Sequence, residues 1–228
     1  MRRTFNVVRL QLINKGTFVW YPLMILGAAV VISVLIYAMI PGEGPKYGGG
    51  GQAPLWYFFA IGMSAMTLTF PFSQAMSITR REFFFGTLLT AILGSALMGI
   101  LFLIGGGIEV ATNGYGVHGY LFYLPWLWDA GPLGAFVVYF TLALFFFVLG
   151  FTGATIYKSW GQLVLLIVSI GLALVLIGLV FLATRLELWN HVGAAIMDLG
   201  ALGLALWGLL ITAVFSVVSF LAFRRTIP

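Results

Sequence analysis

Apolar residues in this chain come in long unbroken blocks, unlike the alternating or one-faced patterns of a soluble fold. Six stretches are almost free of charge: about 18–40, 55–77, 83–108, 132–156, 161–184 and 200–223. Each is near the roughly 20 apolar residues that carry a helix across the hydrocarbon core. The pattern predicts a single-domain, all-α membrane protein with six transmembrane helices. Residues 1–17 read differently. Met1, Phe5, Val8 and Leu12 fall on one helical stripe, with Arg2 and Arg9 off it. They predict an amino-terminal interfacial helix, lying in the headgroups and anchored by its cations.

The connections carry their own signals. Pro41–Pro54 reads as a loop, and its Gly48–Gly51 run as flexible linker. Glu109–Gly131 is rich in Tyr and Trp, the composition of a membrane interface. Tyr157–Trp160 reads as a minimal turn. Arg185–Leu199 mixes charges with Leu186, Trp189, Val192 and Ile196 and predicts short outer helices. It is too apolar for a free loop. Trp189 and Ile196 are therefore expected to pack back into the outer leaflet as a gate over the exit. Within the second span, Pro71 predicts a kink, because it removes a donor and clashes one turn back. Thr67, Thr69, Ser73 and Gln74 surround it. Thr67 and Gln74 lie seven apart, on one helix face. Two readings of these four residues stand: they line a translocation path, or they satisfy the kink. Ser95 and Gly99 have the small-residue spacing that lets helices approach closely.

Composition narrows the function. Of 228 residues only 7% are charged, against about 25% in soluble domains. Little is left for a soluble domain. There is no cysteine, hence neither a disulfide nor a thiolate metal site. The basic residues are scattered over short segments, so no nucleic-acid surface is expected. No charge falls in the middle of a span, where a coupled carrier usually keeps one. His118 and His191 are the only histidines, and no nucleophile pairs with a base at a readable spacing. A non-catalytic chain is expected. None of Lys15, Lys46 and Lys158 follows a glycine, so no phosphate-binding loop exists. Any ATP and magnesium must be bound by a partner chain.

Six spans put both termini on one side. That side carries Arg2, Arg3, Arg9, Lys15, Arg80, Arg81, Lys158, Arg224 and Arg225, and the other only Lys46 and Arg185. Nine cations against two predict cytoplasmic termini in a plasma membrane. The densest charge is Thr79-Arg80-Arg81-Glu82, between two apolar blocks. Thr79 can cap a helix, with Glu82 three residues on as in a capping box. The stretch predicts a short surface helix, with Phe83–Phe85 in the interface and both arginines facing the cytoplasm. Anionic lipid or a protein groove could meet them there.

These features together resemble the permease subunit of a bacterial ATP-binding-cassette exporter of the type V fold. The specific part is Thr79-Arg80-Arg81-Glu82-Phe83-Phe84-Phe85-Gly86, similar to a Ser/Thr-Arg-Arg-x-Phe-x-x-Gly stretch between the second and third spans of these permeases. The resemblance implies that Thr79–Phe83 form a coupling helix docked on an ATPase. It also implies that Arg185–Leu199 form re-entrant helices, and that two permeases, identical or paralogous, work with two ATPase chains. It leaves the substrate open, since relatives export drugs, peptides, lipids and glycans. The sparse hydroxyls and amides of the second span favour an apolar or amphipathic compound. A membrane protein without ATPase coupling, such as an immunity protein or secondary carrier, remains the alternative reading.

Overall fold

The computed structural model describes residues 2–42 and 44–223. Met1 of the apolar stripe, Glu43 and the Arg224-Arg225 pair lie outside the described residues. Among the described residues five helical stretches are long and apolar enough to cross a membrane: Gly16–Met39, Gly49–Ala75, Arg80–Ala111, Gly131–Arg185 and Trp189–Phe223. The protein is an all-helical membrane protein.

The amino-terminal helix α1 (Arg2–Ile13) leads through a π-helical turn (Gly16–Trp20) into α2 (Tyr21–Met39). α1 does more than lie on headgroups. It buries Val7, Val8 and Gln11 and leaves Phe5 and Leu12 exposed, so the docked face shares Val8 with the predicted stripe but is rotated from it. A glycine decides this. A Cβ built on Gly86 would stand 2.5 Å from Val7 Cβ, so α1 crosses Gly86 almost in backbone contact. Gln11 Nε2 then donates to Thr87 Oγ1 at 2.8 Å in the buried contact. A polar residue sits on the packed face because it has a polar partner there.

The second apolar stretch is α3 (Ala53–Ser64), a π-helical turn (Ala65–Thr69) and α4 (Phe70–Ala75). The disturbance expected at Pro71 takes the form of the wide turn just before it. There Phe70 N–H reaches back five residues to Ala65 O. Widening the turn gives the proline ring room against the preceding carbonyls.

α5 (Arg80–Ala111) is one uninterrupted helix. After α6 (Pro125–Trp128), α7 runs Gly131–Arg185, 55 residues. At 1.5 Å per residue that is about 80 Å, far beyond a hydrocarbon core of about 30 Å. It is broken at Gly161, with φ 85° and ψ 177°. The expected turn at Tyr157–Trp160 is therefore helical, and the reversal falls on one glycine, the residue that tolerates such a φ. α8 (Trp189–Phe223) is likewise broken at Gly200, with φ 61° and ψ 178°, which sets off a short helix before it.

α3 and the first half of α7 form the tightest crossing. A Cβ on Gly62 would stand 2.1 Å from Phe147 O, and one on Gly150 2.1 Å from Phe59 O. The closest approach thus uses glycines other than Gly99, whose added Cβ would meet the Phe136 ring at 3.0 Å.

The two ends of the bundle differ. The turn end gathers Phe70, Phe83, Phe84, Phe151 and Phe223 into one aromatic cluster, with ring centroids 4.8 Å apart for Phe70 and Phe223. The cap end is built from connecting segments. β1 (Lys46–Tyr47) pairs in parallel with β2 (Gly119–Tyr120), a two-residue bridge within an otherwise helical fold. The Gly48–Gly51 run is packed here and does not act as a linker. A Cβ on Gly48 would meet Tyr37 Oη at 2.1 Å, and Gly51 is buried against Leu121. Lys46 Nζ closes the cap by donating to Tyr37 O at 2.9 Å and Ile40 O at 2.8 Å, carbonyls at the end of α2.

Candidate functional site

The charged turn is a rigid, capped entry into α5. Thr79 is extended at φ −68° and ψ 149°, and its Oγ1 accepts from Glu82 N–H at 3.3 Å. Glu82 Oε2 accepts from Thr79 N–H at 3.2 Å and from its hydroxyl at 2.8 Å. This is the predicted capping box, which satisfies donors that a helix start leaves orphaned. The helix it starts is not a separate short one, however: α5 continues without a break to Ala111. The cap favours helix, and nothing after it breaks helix before Thr112.

The phenylalanines also part company. Phe83 and Phe84 are buried in the aromatic cluster of the turn end, and only Phe85 is exposed. Phe83 is thus a core residue and offers no surface to a partner. Arg81 is exposed, with its guanidinium 5.8 Å from the Phe85 ring centroid. Arg80 is half-buried.

The residues just before the cap matter as much. Ser77 has φ 56°, a left-handed conformation uncommon outside glycine. It is held by Ser77 N–H to Gln74 O, Ile78 N–H to Ser73 O, and Gln74 Nε2 to Ile78 O at 3.0 Å. Beside it lies an open cleft of about 530 Å³. Asn6, Arg9 and Leu10 of α1 form one wall, and Met76, Ser77 and Ile78 the other. The amino-terminal helix and the residues that lead into the charged turn therefore wall one cleft.

Three of the four polar residues of the second stretch, Thr67, Ser73 and Gln74, find local partners. Thr67 Oγ1 donates to Met63 O at 3.0 Å and Ser73 Oγ to Phe70 O at 2.7 Å. Ser73 is fully buried, and Gln74 braces the turn. Thr67 and Thr69 lie in the π-helical turn, whose wider pitch offsets the seven-residue register that would align Thr67 with Gln74.

Trp189 and Ile196 lie on the short helix that Gly200 sets off, as the composition of that segment predicts. Trp189 Nε1 donates to Thr184 Oγ1 at 3.1 Å. Both side chains remain substantially exposed, so this chain alone does not bury them.

Glu109, at the start of the aromatic-rich Glu109–Gly131 segment, is the most constrained carboxylate among the described residues. It is fully buried at the end of α5. It accepts from the backbone N–H groups of Leu121 and Phe122 at 2.9 Å and Tyr123 at 2.7 Å, and the Tyr115 phenol lies beside it. Burial, with the Glu109 charge beside it, pushes the Tyr115 phenol up to about 12, so it stays a donor at neutral pH. Phe122 O in turn accepts from Trp128 Nε1 at 2.8 Å and from Tyr139 Oη. The arrangement is a receptor for one carboxylate, which fastens the aromatic cap segment to the bundle. A lone acid ending an apolar span just before an aromatic-rich connection is the only trace of it in the sequence.

Among the described residues no group of three metal-ligating side chains forms. Comparison with protein-family models, with curated proteins and with solved structures finds no match to this chain.

Proposed function

We propose that this chain is the permease subunit of an ATP-driven exporter, with six membrane spans and both termini in the cytoplasm. The reading counts α7 as two spans joined at Gly161. It sets the turn end, with Arg9, Arg80, Arg81 and Lys158, against the cytoplasm. The observation that carries it is the surface at that end. A capped turn with an outward arginine lies beside a cleft walled by α1, and the turn is rigidly continuous with a membrane-crossing helix. Such a surface takes a push from a docked partner and passes it to α5 without a flexible joint. Thr79 and Glu82 hold the shape, Arg80 and Arg81 supply charge, and Phe83 anchors the turn to the core. The partner is an ATPase chain, two per pair of permeases, which binds the ATP and magnesium. The cargo is an apolar or amphipathic compound, and Thr67, Thr69, Ser73 and Gln74 remain the candidates along its path.

The test is the double substitution Arg80→Glu with Arg81→Glu. An ATPase groove loses about 2–5 kcal/mol when a partly desolvated charge pair is broken. The variant is expected to insert normally, yet to lose its co-purifying ATPase and transport. A variant that keeps both removes the coupling role and leaves the ATPase-independent reading.

A further inference from the structure

The cleft between α1 and the residues leading into the charged turn has a mixed lining. Asn6, Arg9 and Ser77 are exposed polar residues of its walls, and Leu10, Ile13, Met76 and Ile78 supply the apolar part. Among the described residues, neither the Arg9 guanidinium, the Asn6 amide nor the Ser77 hydroxyl has a hydrogen-bond or ion-pair partner. No acid lines the cleft, and Glu82, just beyond Ser77, is engaged in the capping box. Position adds a second constraint. Met76 directly follows α4, at the end of the membrane-crossing stretch Gly49–Ala75, so the cleft opens at headgroup depth. Met76, Phe72 and Leu68 are exposed about one turn apart, an apolar track leading back along that stretch from the cleft.

Charge and polarity together select an occupant. An unpaired guanidinium beside two neutral hydrogen-bonding groups matches the oxygens of a phosphodiester. A free phosphate would leave the apolar walls unused. A zwitterionic headgroup would bring a cation that no lining carboxylate meets. A lipid of net negative charge uses both parts of the lining, as basic pockets between membrane helices do. At about 530 Å³ the cleft holds a headgroup and the start of its chains rather than a whole lipid. We infer that it binds one anionic phospholipid from the leaflet at the turn end, with the phosphate on Arg9 and the chains along Met76 and Phe72. The lipid then bridges α1 to the turn. The site does not use Arg80 or Arg81, and its occupancy needs no ATPase.

A phosphatidylglycerol carrying a diazirine near the top of one acyl chain, photolysed with the purified full-length protein in phosphatidylcholine nanodiscs, tests it. Label is expected on the peptides that hold residues 6–13 and 76–78. Unlabelled phosphatidylglycerol should compete it away, while added phosphatidylcholine or inorganic phosphate should not. Arg9→Gln should weaken binding about tenfold, the worth of a charged hydrogen bond, and Arg9→Lys should keep most of it. Lys158→Gln, which removes a cation elsewhere at the same end, should change nothing. Ile13→Trp, at an exposed position, crowds the cleft without altering its charge and should also lower the label. Label that phosphatidylcholine or phosphate competes equally well, or that falls as far with Lys158→Gln as with Arg9→Gln, overturns the proposal. So does an Arg9→Gln chain that keeps its lipid label but loses a co-purifying ATPase, which would assign the cleft to a protein.

Discussion

Replacing Glu109 by leucine should unfasten the cap end, and the structure sets the size of the effect. Leucine has similar bulk but no acceptor. Three backbone N–H groups, of Leu121, Phe122 and Tyr123, would be left facing an apolar side chain. Each unsatisfied buried donor costs about 1–3 kcal/mol. The loss is then on the order of 5 kcal/mol, since Tyr123 is only partly buried and water will reach it. For a chain of this size that is a fall in Tm on the order of 10 °C. Glu109→Gln keeps one oxygen but turns an NH2 group toward donors, so a smaller drop is expected. The assay is thermal unfolding of the purified protein in detergent, with limited proteolysis of the 112–130 segment as the local readout. The exposed Glu187→Gln serves as control. If Glu109→Leu melts within about 2 °C of the parent and the segment resists protease equally well, the carboxylate is not what fastens the cap.

Two further outcomes follow from the same geometry. Gly62→Ala or Gly150→Ala puts a methyl 2.1 Å from a carbonyl oxygen of the other helix, so α3 and α7 must separate and the monodisperse yield should collapse; Gly153→Ala, with open space around it, should be tolerated, and equal yields from all three would refute the tight crossing. Cysteines at Gly49 and Asn113 of the cap end should react with an impermeant reagent in intact cells while one at Ser159 does not, and the reverse pattern would invert the assigned orientation.

The apolar blocks alone determined the class of this protein. Hydrocarbon admits a helix only if some 20 residues in a row are apolar, so composition and span length leave little freedom. The capping box was legible for a related reason: Thr79 and Glu82 are three residues apart, and their hydrogen bonds need no distant partner. The features that needed the fold are all long-range. Whether Gly48–Gly51 is a tether or a packed floor depends on Tyr37 and Leu121. Whether α1 floats or docks depends on Gly86 and Thr87, about 80 residues away, and the docked face is rotated from the apolar stripe, keeping only its Val8, because Gln11 gains a polar partner on docking. Phe83 looked interfacial beside two arginines, but Phe70 and Phe223 from other helices enclose it. Nothing beside Glu109 in the sequence shows that three amide groups 12 to 14 residues on fold onto it. In each case the deciding energy is a contact between segments far apart in sequence, and only the tertiary structure brings them together.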